Sequence, residues 1–161
     1  MPKISVATNV SLPMPVVIVG TVDNGLANYM AVAWISRVNG NPPLIAISLG
    51  KARHTNSLIE KSKEFSVNFP SIRDVVRTDY VGMVSGGKVS KAEVFQSSYG
   101  RLKKAPLITD CPLSIACSLY KKVPLPTHDM FIGEVVEVFA EDAFMHESAF
   151  KFMEAGSFLL T

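Results

Sequence analysis

Every apolar run in the first seventy residues is stopped within about ten residues by turn chemistry, which leaves little room for anything but short strands. Pro15 to Val22 runs into Asp23-Asn24-Gly25, a strong hairpin signal. Asn28 to Val38 reads as a second strand, rich in small and β-branched residues, and Asn39-Gly40-Asn41-Pro42-Pro43 turns it. Leu44 to Leu49 is a third, ended by Gly50, and Phe65 to Phe69 a fourth, stopped by Pro70.

The second half continues in the same style. Leu113, Ile115, Cys117 and Leu119 alternate with Ser114, Ala116, Ser118 and Tyr120, the period of two that a strand requires. Phe131 to Ala140 is a long apolar strand interrupted by Glu134 and Glu137, and Phe158 to Leu160 fits a last short one. Helices are fewer. Thr55 to Lys63 opens on a threonine placed to cap, with Leu58 and Ile59 facing inward, and Ile72 to Val81 sets Val75, Val76 and Tyr80 at helical spacing. Strands that do not alternate with helices argue against a doubly wound fold. A mainly β chain of six or seven antiparallel strands, closed into a barrel with a few short peripheral helices, fits better because closure removes exposed edges.

Length and composition narrow the class. With 161 residues the chain is expected to form a single domain, residues 1–161, around one core. Only 19 % of residues are charged against 48 % apolar, which predicts that part of the surface is buried against a second copy of the chain. The net charge is +2, and the basic residues cluster only as pairs such as Lys103-Lys104 and Lys121-Lys122, so no nucleic-acid footprint is expected. No apolar stretch reaches the roughly 18 residues of a membrane span, and Leu12 to Val22 lacks a signal-peptide pattern. A cytoplasmic location is expected. Cys111 and Cys117 lie six apart in what reads as one strand, about 20 Å at strand rise, too far for a disulfide. They read as core thiols, and no metal site is expected.

Four segments carry candidate chemistry. Ser48-Leu49-Gly50-Lys51-Ala52-Arg53-His54-Thr55-Asn56-Ser57 is a strand end, a basic loop and a helix start. Free N–H groups at a helix N-terminus suit a phosphate, Arg53 can fork two of its oxygens and Thr55 can donate a hydroxyl. Taken alone, an ordinary helix cap with a solvated arginine is the simpler reading. In Asn28-Tyr29-Met30-Ala31-Val32-Ala33-Trp34 the small Ala31 and Ala33 let a flat ligand approach the backbone; a plain barrel strand with Trp34 in the core is the alternative. Ser85-Gly86-Gly87-Lys88-Val89-Ser90-Lys91 is a glycine turn whose lysines either meet an anionic ligand or are solvated. His128 stands just before a strand at the barrel rim, where it could titrate near neutrality.

In this order the segments, with Asn41-Pro42-Pro43-Leu44 and Phe65-Ser66-Val67-Asn68, resemble the flavin reductase-like family of FMN-binding split β-barrels, and within it the flavoredoxin-like subgroup. The resemblance runs from the strand at Pro15 to about Ala140. It implies a homodimer holding FMN near the subunit interface. It places Asn28, Met30, Ala31, Val32, Ala33 and Trp34 along the isoalloxazine ring. Arg53, Thr55 and Asn56 fall at the phosphate end, with Ser48, Lys91, His128 and a C-terminal Phe158 also at the cofactor. Lys91 and His128 are the candidate catalytic groups, the flavin itself carrying the chemistry. The activity implied is reduction of free flavin, ferric iron or another acceptor by NAD(P)H. The alternatives are an FMN electron carrier reduced by a protein partner, and a flavin-binding protein without redox turnover.

Overall fold

The computed structural model describes residues 4–5, 8–10 and 12–142. The elements follow as β1 Val17–Asp23, β2 Leu26–Val32, β3 Ile35–Asn39, β4 Leu44–Gly50, α1 His54–Ser62, β5 Glu64–Phe69, α2 Val75–Met83, β6 Ser97–Ser98, β7 Leu107–Ile108, β8 Leu113–Pro124 and β9 His128–Ala140. A 3-10 turn at Ile72–Asp74, closed by a capping box between Ser71 and Asp74, leads into α2. Seven strands form one sheet in the order β2-β1-β5-β8-β9-β4-β3, and β6 and β7 make a separate pair. Every pairing is antiparallel.

The two ends of that strand order are neighbours in sequence. β2 and β3 are joined only by Ala33 and Trp34, a link that spans about 10 Å. A seven-stranded sheet whose opposite edges are tied so closely has to curl until they meet, which gives a barrel with a split at the β2–β3 joint. The single strand expected over Asn28 to Val38 is therefore two strands. The chain leaves one side of the barrel at Val32 and re-enters on the other at Ile35, and a bond from Ile35 N to Ala33 O (3.1 Å) tightens the corner.

The ladder register builds the core. Val19 stands opposite Val67, and Val67 opposite Ile115, so one apolar row crosses β1, β5 and β8. These side chains join Ile47, Leu49, Phe65 and Phe131 inside the barrel. The alternation expected along Leu113 to Tyr120 is only half of what the fold does. Ser114 and Ala116 on the other face are buried too, because Ala105 and Leu107 pack over Ala116 and Ser114 Oγ bonds Ile108 O. The β1–β2 hairpin turns as its sequence requires: Asn24 and Gly25 both take positive φ, 50° and 83°.

The cysteines are free, but they do not share a strand. Cys117 lies in the barrel core on β8, whereas Cys111 precedes β8 and packs in a second cluster with Tyr29 and Phe95. Burial pushes both thiols up to about 12, so neither is a thiolate at neutral pH. The strand expected at Phe158 to Leu160 lies outside the described residues. Among the described residues no helix is long and apolar enough to cross a membrane.

Helix α1 begins one residue earlier than expected. Its N-cap is Arg53, without a side-chain cap bond, and Thr55 sits inside the first turn. The helix ends at Lys63 in the left-handed conformation (φ 61°). Leu58 and Ile59 are buried as their spacing predicts. On α2, Val81 points inward, while Val75, Val76 and Tyr80 face solvent.

Candidate functional site

Three pieces of chain meet at the exposed edge of β2. That strand pairs only with β1, so alternate backbone N–H and C=O groups along it make no ladder bond. The first turn of α1 lies beside it, since Asn28 Nδ2 donates to Thr55 Oγ1 at 3.0 Å. The Ser85–Lys91 segment closes the third side. Lys91 Nζ donates to the carbonyls of Tyr29 (2.9 Å) and Val81 (2.8 Å), bridging β2 to the end of α2.

The donors left over in this corner share one property. Asn28 uses the Thr55 hydroxyl as an acceptor, so the hydroxyl keeps its own proton to give, and no acceptor for it exists among the described residues. Arg53 is exposed, and no acidic partner for it exists among the described residues. Lys91 is only 4 % exposed, spends two of its three N–H groups on carbonyls, and meets no carboxylate among the described residues. Burial first, and then the charge of Arg53, pull its ammonium down to about 8. The first N–H groups of α1 lack intrahelical acceptors by construction. Two cations, a buried hydroxyl proton and a helix start lie at the same corner, a set of donors whose chemistry suits an anion with several oxygens.

The turn from Ser85 to Lys88 is fitted tightly. A Cβ on Gly86 would overlap Asn28 Oδ1 and come within 3.2 Å of the His54 ring, so only glycine allows the loop to lie there. Lys88 N and Val89 N both bond Ser85 O, closing the turn before it reaches Lys91.

A second group lies at the split. Trp34 is half exposed, and its ring lies 4.4 Å from that of His128, tilted by 33°. The alternative of a core tryptophan does not hold, because the β2–β3 corner turns the side chain outward. His128 is the first residue of β9, inside the strand rather than before it, and is paired with Gly50. Its Nδ1 is bonded to Thr127 Oγ1 at 2.8 Å. A Cβ on Gly50 would lie 3.6 Å from Arg53 Cγ and 3.9 Å from His128 Nε2, so this residue links the ring pair to the anion corner. Ser48 N donates to Trp34 O, which holds the joint against β4.

The residues singled out from the sequence thus converge, with differences of kind. Asn28, Thr55 and Asn56 are almost fully buried, and Asn56 Nδ2 bonds Leu49 O at 3.3 Å, so Asn28 and Asn56 act as struts. Val32 belongs to the barrel core and offers only its backbone. Met30, Ala31 and Ala33 are half-buried, Met30 packed against the barrel core and Ala31 beside Gly82 of α2. Thr55 does not cap α1; its hydroxyl faces Asn28. Phe158 lies outside the described residues. Asp23 and His54, not singled out from the sequence as site residues, join the corner through a bond of 2.7 Å between Asp23 Oδ2 and His54 Nε2. They are 31 positions apart, and no local pattern connects them.

Comparison with known proteins gives the family and the fold. A model of the flavin reductase like domain matches residues 10–153. An uncharacterized protein of Archaeoglobus fulgidus is 32 % identical over 119 residues, 73 % of this chain and 67 % of that protein. The flavoredoxin of Methanosarcina acetivorans superposes with a TM-score of 0.89 at 40 % identity, covering 91 % of this chain and 80 % of its own. The flavoredoxin of Desulfovibrio vulgaris (Miyazaki F) does so with a TM-score of 0.82 at 30 % identity, covering 92 % and 81 %. With the family model matched over most of the chain and the fold shared with two flavoredoxins, this chain belongs to the flavin reductase-like family.

Proposed function

We propose that the chain binds FMN and uses it for reduction, with NAD(P)H as the transient reductant and a flavin, ferric iron or another small molecule as acceptor. The observation that carries the reading is the corner of Arg53, Lys91 and the Thr55 hydroxyl, where neither cation has a carboxylate partner among the described residues and the free donors fit a phosphate monoester. Arg53 and Thr55 hold the phosphate there. The half-buried strand from Met30 to Ala33 presents unpaired backbone groups to the polar edge of a flat ring. Trp34 and His128 close the far side, their rings 4.4 Å apart. Bound FMN supplies hydride acceptance and onward electron transfer, which no side chain in the cleft offers.

The likeness to flavoredoxins at 40 % and 30 % identity supports a second reading, an FMN electron carrier reduced by a protein partner. Anaerobic mixing of the holoprotein with NADH or NADPH separates the two. Rapid bleaching of the flavin supports the reductase, and bleaching only with a reducing protein supports the carrier. The cofactor is identified by denaturing the purified protein and chromatographing what is released. A flavin-free protein that also refuses added FMN sinks both readings.

We further propose a homodimer. Ile72, Val76 and Met83 are 86 %, 76 % and 70 % exposed along the 3-10 turn and α2, more apolar surface than one helix of a monomer ordinarily leaves open. Light scattering of the holoprotein is expected to give twice the chain mass. A monomer at micromolar concentration with FMN bound contradicts the proposal.

A further inference from the structure

The Asp23–His54 pair has no part in the barrel core, yet it ties three elements of the anion corner together. Asp23 ends β1 at the hairpin turn, and His54 is the first residue of α1, between Arg53 and Thr55. Their side chains meet at 2.7 Å, each about 30 % exposed. The imidazole is also the floor of the glycine turn: positions where Cβ atoms would project from Gly86 and Gly87 lie 3.2 Å from His54 Cδ2 and 3.5 Å from Nδ1. The carboxylate therefore holds the ring, and the ring holds both the start of α1 and the turn that delivers Lys91.

We propose that Asp23 and His54 are positioning residues for the anion site, which rests on the phosphate reading given above. Accepting from Nε2–H, Asp23 fixes the ring in one orientation and leaves Nδ1 toward Gly87. Arg53 and Thr55, on either side of His54, are thereby kept in register with Lys91. Without the carboxylate the ring is released, and the glycine turn loses its seat.

The sign of the effect makes the proposal testable. By charge alone, removing a carboxylate near an anion site tightens anion binding, whatever residue replaces it. By positioning, Asp23→Ala weakens FMN, whereas Asp23→Asn, which still accepts from Nε2–H, does not. Wild-type, Asp23→Ala and Asp23→Asn apoproteins are titrated with FMN and with riboflavin, which lacks the phosphate. The expected result is a loss of about three- to tenfold for FMN in Asp23→Ala. Riboflavin binding is expected to hold within about twofold, a loss smaller than a single net hydrogen bond produces, and Asp23→Asn to bind at least as tightly as wild type. His54→Phe keeps the aromatic floor and loses the bond, and is expected to behave as Asp23→Ala. Tightening in both Asp23 variants, or equal losses for both ligands, overturns the proposal. Wild-type protein that binds FMN no better than riboflavin is a different failure: it removes the phosphate reading itself.

Discussion

Two groups of cations lie on this barrel, and they are built in opposite ways. Around Asp129, opposite charges are matched: Lys122 Nζ is 2.9 Å from Glu60 and 3.2 Å from Asp129, and Lys51 Nζ is 3.6 Å from Asp129. Bonds to Glu60 and Asp129 raise the Lys122 ammonium above its ordinary value. Burial pushes the Asp129 carboxyl up, but bonds from Lys122 and Asn56 and the charges of Lys122 and Lys51 outweigh it and bring it down. Around Lys91 nothing is matched. Its ammonium is more deeply buried than that of Lys122, leans on carbonyl oxygens alone, and has Arg53 for a neighbour. A matched corner is complete by itself. A buried ammonium with another cation for its neighbour and no carboxylate partner is costly to the empty protein, and an anion arriving there offsets that cost.

If that contrast is right, the largest loss on substitution belongs to Arg53. Arg53→Ala is expected to weaken FMN by about 1.5–3 kcal/mol, roughly ten- to a hundredfold. Riboflavin should be nearly indifferent to the change. Fluorescence titration with both ligands reads the difference, and equal losses would move the phosphate away from Arg53.

The glycine turn comes next. Gly86→Ala forces the loop off Asn28 and His54, with strain of about 1–3 kcal/mol. A lower melting temperature and weaker FMN binding are expected together. Gly87→Ala meets nothing closer than His54 Nδ1 at 3.5 Å and should be close to neutral on both counts. Wild-type behaviour of Gly86→Ala would show that the turn is not seated on Asn28.

A smaller effect follows pH. The folded protein releases the Lys91 proton at about 8, whereas an unperturbed lysine holds it to 10.5. A bound phosphate favours the charged form, so FMN affinity should fall as pH rises through 8 and should stay flatter in Lys91→Met. Stability of the apoprotein moves the other way. Between 8 and 10.5 the unfolded chain binds a proton that the folded one has released, so the Lys91 contribution to stability rises with pH. The wild-type-minus-Lys91→Met difference in urea denaturation isolates it from the cysteines, whose thiols ionise near 9 once unfolded, inside the same window, and cancel in the difference. A difference that does not change with pH would mean that Lys91 stays charged in its carbonyl seat.

The smallest effect belongs to the matched corner. Lys122→Ala leaves the buried Asp129 carboxylate still held by Lys51 and Asn56, and the Lys122–Glu60 pair that is lost lies at the surface and contributes little. FMN affinity is expected to be unchanged and the melting temperature almost so. A large loss of FMN there would erase the distinction between the two corners.

Local chemistry in the sequence was sufficient for the strands, the hairpin turn at Asn24-Gly25, the two helices and the antiparallel class, because turn residues and side-chain period act within a few positions. It also singled out Arg53, Thr55, Asn28 and Lys91 as polar groups in segments of unusual composition. The tertiary structure decided the rest. Only closure of the sheet could break Asn28 to Val38 into two strands, since nothing local marks Ala33-Trp34 as a corner. Only packing could cover both faces of β8, turn Trp34 outward onto His128, and seat a glycine turn on an imidazole. That neither Arg53 nor Lys91 has a carboxylate partner among the described residues is likewise a property of three-dimensional neighbours. Charge balance is set by which chain segments meet, and the Asp23–His54 bond joins positions 31 apart that no periodicity could have paired.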